Sequence, residues 1–327
     1  MGIPERLDPR LKLRHLLIAV AVADHGSVLR AAGALFVTQP VVSRAVAELE
    51  EILGVTLFVR QARGMTPTEA GQSYLRHART VLGELRTAGQ RVEDLREGYA
   101  GTVAVGTFVA ASHLLVPHAI LALGRSRPGL RVIVREGTVD ELLQGLFGGE
   151  LDVVAGRAPR ARDHRLEFDE LYREPMVLVT GLDHPAQDAA HPAGLPALLD
   201  YPWVLPLRET DLRTELDDVF HQAGTGQPAD LVECSTVLTV RQLLRGGRHV
   251  GVLPLLVARH DPELAVLPTP LPTVSWGIGL TRLRGAPTAA TAALIAALHE
   301  AAVPLREQLE QSIEQHYPGS AVPYSGS

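Results

Sequence analysis

Ser27-Val28-Leu29-Arg30-Ala31-Ala32 and, after a short gap, Thr38-Gln39-Pro40-Val41-Val42-Ser43-Arg44 are the residues from which the fold is most readily predicted. Ser27 and Thr38 are residue types that favour the position just before a helix. The stretch therefore predicts two helices separated by a turn of a few residues. The adjacent small residues Ala31 and Ala32 allow these helices to cross closely at a steep angle. The sequence thus predicts a helix-turn-helix.

The second predicted helix has one apolar face and one polar end. Its apolar residues recur at helical spacing and are expected to face inward: Val42, Val46, Leu49 and Leu53. This leaves a polar N-terminal end, which is the end that a helix-turn-helix places in the major groove of DNA. Short polar side chains and a guanidinium suit base edges and phosphates there. The predicted DNA contacts are Ser27, Thr38, Gln39, Pro40, Ser43 and Arg44.

A short strand and an arginine-bearing turn follow this helix. Residues 55–59 are rich in β-branched and aromatic residues, which predicts a strand after Gly54. Arg60 and Arg63 then lie in a turn that ends at Gly64, as in the wing of a winged helix-turn-helix. We predict that Arg63 enters the adjacent minor groove, the alternative being a solvated loop charge. Arg60 is expected to hold a phosphate or to pair with a carboxylate.

A long helix is predicted next, over residues 66–97. Thr66-Pro67-Thr68-Glu69 has the pattern of a capping box with proline at the first helical position. Apolar residues then recur at alternating spacings of three and four, which is typical of a coiled-coil seam. We predict that two copies of the chain dimerise through this seam, the alternative being a helix docked on its own domain. The predicted dimer residues are Leu75, Ala78, Leu82, Leu85 and Val92.

The order of these elements resembles the LysR-type transcriptional regulators. Besides the helix-turn-helix, the residues that carry the resemblance are Leu49-Glu50, Leu53-Gly54, Leu57-Phe58, Arg60, Gly64 and Thr66-Pro67-Thr68-Glu69-Ala70-Gly71. The similarity continues in segment order along nearly the whole chain. It implies a winged helix-turn-helix at residues 1–65, a dimerisation helix at residues 66–97 and an effector-binding domain at residues 98–327.

The resemblance also implies partners. Two recognition helices in one dimer imply double-stranded DNA that carries an interrupted inverted repeat. Members of the family form homodimers or homotetramers and sense a small-molecule effector, and RNA polymerase is a candidate partner. Segments 13–16 and 151–157 resemble the branch that regulates aromatic-acid or sugar catabolism, which implies an organic or aromatic acid or a sugar derivative. One departure is that Ala110 stands where several aromatic-acid-responsive relatives use a serine.

Strand and helix patterns alternate in the rear part of the chain. The first predicted strands lie at residues 102–106, 130–135 and 151–155. Their alternation with helices indicates a mostly parallel sheet covered on both faces. Residues 176–180 and 276–281 are predicted to cross between two lobes, as in periplasmic binding proteins of type 2. The expected fold class is α/β behind an all-α winged helix-turn-helix, with lobe I at about 102–175 and 282–317 and lobe II at about 181–275.

A ligand cleft is expected where the strands of this sheet end. Open α/β sheets bind ligands beyond the carboxyl ends of their strands, close to helix N-termini that favour anions. The predicted effector-binding residues are Thr107, Ser112, Thr138, Arg157, Pro206, Arg208, Ser235 and Thr236. Two alternatives stay open. Thr138, Ser235 and Thr236 could be plain helix caps, and Arg157 could pair with a carboxylate inside the domain.

The net charge of −6 by itself disfavours nucleic acid as a partner. The charge is uneven, however. Residues 1–97 contain 13 Lys and Arg against 11 Asp and Glu, a balance of +2, which leaves −8 for the remainder. DNA binding therefore depends on the placement of a few cations, which are arginines except for Lys12.

Several function classes are disfavoured by what the sequence lacks. It has no His and Cys cluster at metal-ligand spacing, no glycine-rich phosphate loop and no nucleophile elbow, so no catalytic residue, metal site or cofactor is predicted. The alternatives to a ligand-responsive regulator are a ligand-independent DNA-binding regulator and, less favoured, a small-metabolite enzyme or carrier. No apolar run approaches a membrane span, and Cys234 is the single cysteine. A cytoplasmic location and a buried, inert thiol are therefore expected.

Overall fold

The computed structural model describes residues 8–61, 64–97, 100–159, 163–187, 194–271 and 274–316. These residues form two compact units. The first unit holds the described residues up to Thr102 together with Leu143–Asp152. The second unit holds Val103–Leu142 and the described residues from Val153 onward. Arg63, a predicted DNA contact, lies outside the described residues.

The first unit contains the predicted helix-turn-helix. Its elements are α1 (Leu13–His25), α2 (Val28–Ala34), α3 (Gln39–Leu53), β1 (Phe58–Gln61), β2 (Gly64–Pro67) and α4 (Glu69–Glu97). Ala31 and Ala32 are buried where α2 meets its neighbours, as their small size predicts. Of the four apolar residues predicted to face inward from α3, Val42, Val46 and Leu49 do so. Leu53 in the last turn is exposed instead, because α3 ends at Gly54.

The wing and the start of the long helix differ from the prediction. The strand predicted at residues 55–59 begins three residues later, and β1 pairs antiparallel with β2, Phe58 opposite Pro67. The predicted helix start at residues 66–67 is therefore wrong, since Pro67 ends a strand. Thr68 caps α4 instead: its hydroxyl oxygen accepts the Gly71 N–H at 3.0 Å and donates to the Thr56 carbonyl at 2.8 Å.

The predicted seam on α4 is corrected at its N-terminal end. Leu75 and Ala78 are only 3% and 2% exposed, because the first turns of α4 pack against α1 in the same unit. They are not available to a partner chain. Farther along, an exposed apolar row repeats at spacings of four, three and four: Val81, Leu85, Ala88 and Val92. Leu82 is half-buried beside it.

The rest of the chain alternates strands and helices. Its first half contains β3 (Thr102–Thr107), α5 (Val109–His113), α6 (Leu115–Ser126), β4 (Arg131–Glu136), α7 (Val139–Phe147), β5 (Val153–Arg157) and β6 (Leu166–Gly181). Its second half contains α8 (Leu195–Leu198), β7 (Trp203–Leu205), α9 (Asp211–Gln222), β8 (Leu231–Glu233), α10 (Val237–Arg245), β9 (Val250–Pro254), α11 (Leu255–Arg259), β10 (Leu264–Val266), β11 (Ser275–Leu283) and α12 (Ala289–His316).

The strands of the second unit join in one sheet. Its order in the described residues is β4-β3-β5-β11-β6-β9-β7-β8, with β10 also paired to β6. The pairs β3–β5, β7–β8 and β7–β9 are parallel, whereas β11 is antiparallel to both β5 and β6. The sheet is therefore mixed at its centre. The reason is that β6 and β11 are the two long strands by which the chain leaves one lobe and returns to it.

These two long strands position the candidate site. The first part of β6 pairs with β11, and its last part, from Met176, pairs with β9 of the other lobe. Trp203 is fully buried in the core of that lobe, where its indole N–H donates to the Leu198 carbonyl at 2.8 Å. The two lobes therefore meet along β6, near Met176, where its pairing passes from β11 to β9.

None of the described helices is, taken singly, both long and apolar enough to cross a bilayer. The helices α1 and α2, which meet at a bend of 118°, reach that length and apolar character only when counted together. Ala19, Val22, Ala31 and Ala32 of this pair are buried in the core of the first unit.

Candidate functional site

The N-terminal end of α3 presents a polar, exposed surface. The side chains of Thr38, Gln39, Pro40, Ser43 and Arg44 are all exposed, as predicted for residues that contact DNA. Arg44 Nε donates to the Pro40 carbonyl at 3.2 Å, which holds the guanidinium over the first turn. An exposed helix N-terminus with short donors and one guanidinium is suited to base edges and phosphates.

The two residues predicted to cap α2 and α3 stand at the expected positions but form no capping hydrogen bond. Ser27 and Thr38 occupy the N-cap positions of α2 and α3, but neither hydroxyl forms a capping hydrogen bond. The Thr38 hydroxyl therefore stays at the surface of the helix end. Arg60 lies exposed on β1, opposite Met65 in the strand register.

Phe36 is a residue at this surface that sequence reasoning missed. Its side chain is 96% exposed, and it lies in the turn just before α3. Its φ of 54° is the one positive value among the described non-glycine residues. Such a conformation is uncommon for a bulky residue. The motif predicts a tight turn here, but which residue adopts the left-handed conformation depends on how α2 and α3 pack.

A cavity of about 580 Å³ opens between the lobes of the second unit. Four predicted effector residues line it: Thr138, Arg157, Pro206 and Ser235. The remaining lining is mostly apolar: Phe108, Ala110, Met176, Val204, Leu205, Leu212, Val237, Val240, Pro254, Trp276 and Ile278. Apolar walls with a few convergent polar groups are typical of small-molecule sites. The rule that ligands bind at strand ends thus located the cavity, whereas its apolar walls come from residues far apart in sequence.

Phe108 forms part of the cavity wall because Gly156 leaves room for it. A Cβ atom at Gly156 would lie 2.0 Å from Phe108 Cδ2, so no residue other than glycine fits under the ring in this position. Gly156 lies in β5, one residue before Arg157, which places the ring and the guanidinium at the same end of the strand.

Arg157 forms an ion pair across the cavity. Its guanidinium donates to Asp211, the first residue of α9, and its Cζ lies 4.6 Å from the centre of the Trp276 ring. The indole N–H of Trp276 donates to Glu215 Oε2 at 2.8 Å. Arg157 is thus at the cavity, and it also has the carboxylate partner that sequence reasoning left open as an alternative.

Thr138 and Glu141 complete the predicted capping box at the start of α7. Glu141 Oε2 accepts the Thr138 N–H at 2.8 Å and the Thr138 hydroxyl at 2.9 Å. The Glu141 N–H donates back to Thr138 Oγ1 at 3.4 Å. Hydrogen bonds from the Thr138 backbone and hydroxyl lower the pKa of Glu141 below its usual value, so the carboxylate is charged at neutral pH.

The other four predicted effector residues do not line the cavity. Thr107 is buried in β3, and its hydroxyl donates to the Phe108 carbonyl at 3.2 Å. Arg208 is 71% exposed and bonds Glu233 Oε1 at 3.0 Å. Ser112 lies on α5, and Thr236 occupies the N-cap of α10, with no capping bond from its hydroxyl. The rule that residues following a strand line the cleft therefore did not separate residues that face the cavity from residues that face the core or solvent.

Cys234 is not buried as predicted. It is half-buried and lines the cavity, and its Sγ donates to the Thr236 carbonyl at 3.6 Å. Within the described residues, no group of three or more His, Cys, Asp or Glu side chains is placed to hold a metal ion.

A buried arginine supports the cavity wall from behind. Arg213 on α9 is fully buried, and its Nη1 donates to the Pro206 carbonyl at 3.0 Å and to Glu233 Oε1 at 2.7 Å. Its Nε donates to Asp217 at 2.9 Å, and its Nη2 to Gln227 at 3.2 Å. This network ties the cavity residue Pro206 to α9 and β8, and no local pattern in the sequence predicts it.

Comparison with family models assigns both units. Residues 13–72 match the model of the bacterial regulatory helix-turn-helix protein, lysR family. Residues 96–303 match the model of the LysR substrate binding domain. The second match alone covers more than half of the chain.

Named relatives agree with these matches. The HTH-type transcriptional regulator PcaQ of Agrobacterium fabrum is 31% identical over 306 residues, which cover 90% of this chain and 96% of the relative. GbpR of Azospirillum brasilense is 36% identical over 231 residues, covering 70% of this chain and 68% of the relative. Among solved structures, the LysR family regulator CbnR has a TM-score of 0.56 at 24% identity, covering 89% of this chain and 99% of that one. At this identity CbnR shows the shared fold.

These relatives are transcriptional regulators, which sets aside the enzyme or carrier alternative. Such a regulator needs a DNA-binding part and a ligand-binding part. The helix-turn-helix of the first unit and the cavity of the second unit correspond to these two parts. The chain belongs to the LysR family of transcriptional regulators, with a DNA-binding helix-turn-helix domain and a substrate-binding domain that binds a small-molecule effector.

Proposed function

We propose that two copies of this regulator pair through α4 and read an interrupted inverted repeat with the exposed N-terminal ends of their α3 helices. The observation that carries the proposal is the exposure of Thr38, Gln39, Ser43 and Arg44 at one end of a well-packed helix. Crystals of the family member CbnR with its target DNA support a duplex as the partner. RNA polymerase is a further candidate partner.

Gln39→Ala and Arg44→Ala are each expected to weaken binding to a selected DNA site about ten- to a hundred-fold, because each removes a donor aimed at bases or phosphates. The site is first recovered from a random duplex pool with the full chain, and affinities are then measured by gel shift at fixed salt. Gln242→Ala and Arg125→Ala, which change exposed residues of α10 and α6, are the matched controls. Unchanged affinity in both α3 variants would place the base-reading surface elsewhere.

The exposed row on α4 is proposed as the dimer seam. Val81, Leu85, Ala88 and Val92 follow a heptad spacing, and Val92 is 68% exposed. A partner helix would remove these side chains from water, which stabilises the pair by about 1.5–3 kcal/mol for each buried Leu or Val. Assembly of such dimers into a tetramer is a further part of the proposal.

Leu85→Glu is expected to shift the dimer toward monomer by at least about tenfold in dissociation constant, because it places two charges in an apolar seam. Sedimentation over a concentration series measures the shift. Leu182→Glu, which makes the same change at another exposed leucine, should leave the assembly unchanged. Wild-type sedimentation of the Leu85 variant would contradict the seam.

The cavity supports a ligand-responsive regulator over a ligand-independent one. A regulator without a ligand would be expected to have a filled or collapsed cleft, whereas about 580 Å³ is open here. The ligand must favour one arrangement of the protein over another, since equal affinity for both would shift nothing. A screen of small carboxylates, sugars and phenols by thermal shift tests for binding to the folded protein.

A further inference from the structure

The charged groups of the cavity are mostly negative. Glu136 at the end of β4 and Glu141 on α7 both line it with exposed side chains. Among the described lining residues the one cation is Arg157, and its charge is already matched by Asp211. A ligand carboxylate would therefore enter next to two carboxylates and would have to compete with Asp211 for the guanidinium.

Three hydrogen-bond donors of the cavity already have protein acceptors. The backbone N–H and the hydroxyl of Thr138 both donate to Glu141 Oε2. The Thr210 hydroxyl, on the opposite lobe, donates to the Leu207 carbonyl at 2.7 Å. A ligand oxygen would have to displace a protein acceptor from each of these groups. The carboxylates of Glu136 and Glu141, by contrast, can accept further hydrogen bonds, because an ionised carboxylate offers about four acceptor positions.

The walls of the cavity suit a flat, apolar body. Phe108 and Trp276 both line it, and aliphatic side chains such as Met176 and Ile278 cover the remaining surface. Aromatic pairs of this kind favour stacked or edge-on contact with a ring. The cavity thus offers apolar walls for the body of a ligand, together with two carboxylates at the last residue of β4 and the first turn of α7.

We propose that the effector of this regulator carries a hydrogen-bond donor, an ammonium or an alcohol, on an aromatic or apolar body, and that Glu136 and Glu141 select it against a carboxylate. This inference depends on the ligand-sensing part of the proposed function and gives its ligand class. It differs from the organic or aromatic acid that the family resemblance implies, whereas the sugar derivative that it also implies carries such alcohols. The capping box and the Arg157–Asp211 pair occupy Thr138 and Arg157, which leaves the Ser235 hydroxyl as the remaining polar side chain among the predicted effector residues that line the cavity.

Benzylamine, benzyl alcohol and benzoate test the proposal, because they share one ring and differ mainly in the polar end. Trp276 reports binding, since it lines the cavity, whereas Trp203, the other tryptophan of the chain, is fully buried. Titration of the full chain followed by tryptophan fluorescence measures the three affinities. Trp276→Phe should abolish the signal change while thermal shift still detects binding.

The expected order is benzylamine, then benzyl alcohol, then benzoate, with benzylamine at least about tenfold tighter than benzoate. In the double variant Glu136→Gln, Glu141→Gln this preference should disappear. Glutamine at position 141 can still complete the capping box, so the fold is retained. Glu300→Gln, at an exposed position of α12, is the matched control and should keep the wild-type order.

Tighter binding of benzoate than of benzylamine would overturn the proposed ligand class, and so would no binding of any probe at millimolar concentration. A preference for benzylamine that persists in the double variant would overturn the role of the two glutamates. Gel shift with the selected duplex, measured on the same preparations without probes, tests DNA binding separately. A wild-type protein that binds the duplex but does not prefer benzylamine would contradict this inference and leave the proposed DNA binding intact. A protein that prefers benzylamine but does not bind the duplex would contradict only the proposed DNA binding.

Discussion

Arg213→Ala is expected to lower the free energy of unfolding of the second unit by about 2–3 kcal/mol, because it removes a fully buried guanidinium together with its hydrogen bonds. Arg213 is fully buried and donates to Asp217, Glu233, Gln227 and the Pro206 carbonyl. Its removal leaves two carboxylates without their shared cation and a void under the cavity wall. Ligand affinity should fall as well, because Pro206 lines the cavity.

Chemical denaturation followed by tryptophan fluorescence measures this loss. Both tryptophans, Trp203 and Trp276, belong to the second unit, so the signal reports that unit alone. Arg208→Ala is the matched control, since Arg208 bonds the same Glu233 oxygen but is 71% exposed. Arg208→Ala should lower the free energy of unfolding by less than about 1 kcal/mol, because exposed ion pairs contribute little. Equal losses of unfolding free energy in the two variants would contradict the expectation that the buried Arg213 stabilises the unit more than the exposed Arg208.

The stability that the hydrogen bonds of Arg213 contribute is expected to depend on pH. Hydrogen bonds from Arg213 and then Arg208 hold the pKa of Glu233 below its usual value. A carboxyl whose pKa is lowered by folding contributes stability above its unfolded pKa, and this contribution is lost as the pH falls. The difference in stability between the wild type and Arg213→Ala should therefore shrink in acid.

Glu174→Gln is expected to stabilise the second unit by about 4 kcal/mol at pH 8, because the buried carboxyl resists ionisation there. Glu174 lies on β6 and is buried, with Oε1 accepting the Leu256 N–H at 3.0 Å. Its Oε2 and the nearby Tyr172 hydroxyl are buried and find no hydrogen-bond partner among the described residues. Glutamine keeps the acceptor for the Leu256 N–H and never ionises.

The expected effect grows with pH. Burial raises the pKa of Glu174 from 4.5 to about 8. The stability that this carboxyl contributes is fully present below its unfolded pKa and is lost as the pH rises through about 8, because the unfolded chain ionises first. Unfolding curves of wild type and variant should therefore nearly coincide at pH 4.5 and separate progressively toward pH 8.

A second glutamate on the same strand provides the control. Glu170 is partly exposed and bonds Arg173 Nε at 3.1 Å. Glu170→Gln should change the free energy of unfolding by less than about 1 kcal/mol and show no growing gain toward alkaline pH. A Glu174 variant that is destabilised at pH 8 would indicate that Glu174 is ionised and paired in the folded protein.

Features carried by nearby residues were predictable from the sequence. The crossing of α2 and α3 follows from Ala31 and Ala32, and the capping box at Thr138 follows from Glu141 three residues later. The placement of Arg157 at the cavity follows from the end of β5. These predictions depend on helix periodicity, capping and strand ends, which act over a few residues.

Local patterns were enough to predict the helix-turn-helix, the long helix, the alternating strands and helices of the rear unit, and the cavity at the strand ends. Packing between distant segments sets three other features: Leu75 and Ala78 face α1, Arg157 pairs with Asp211, and Glu174 is buried. Each of these depends on side chains brought together from distant parts of the chain. Burial and charge pairing are set by that packing, because no local pattern specifies which distant residue will cover a given side chain.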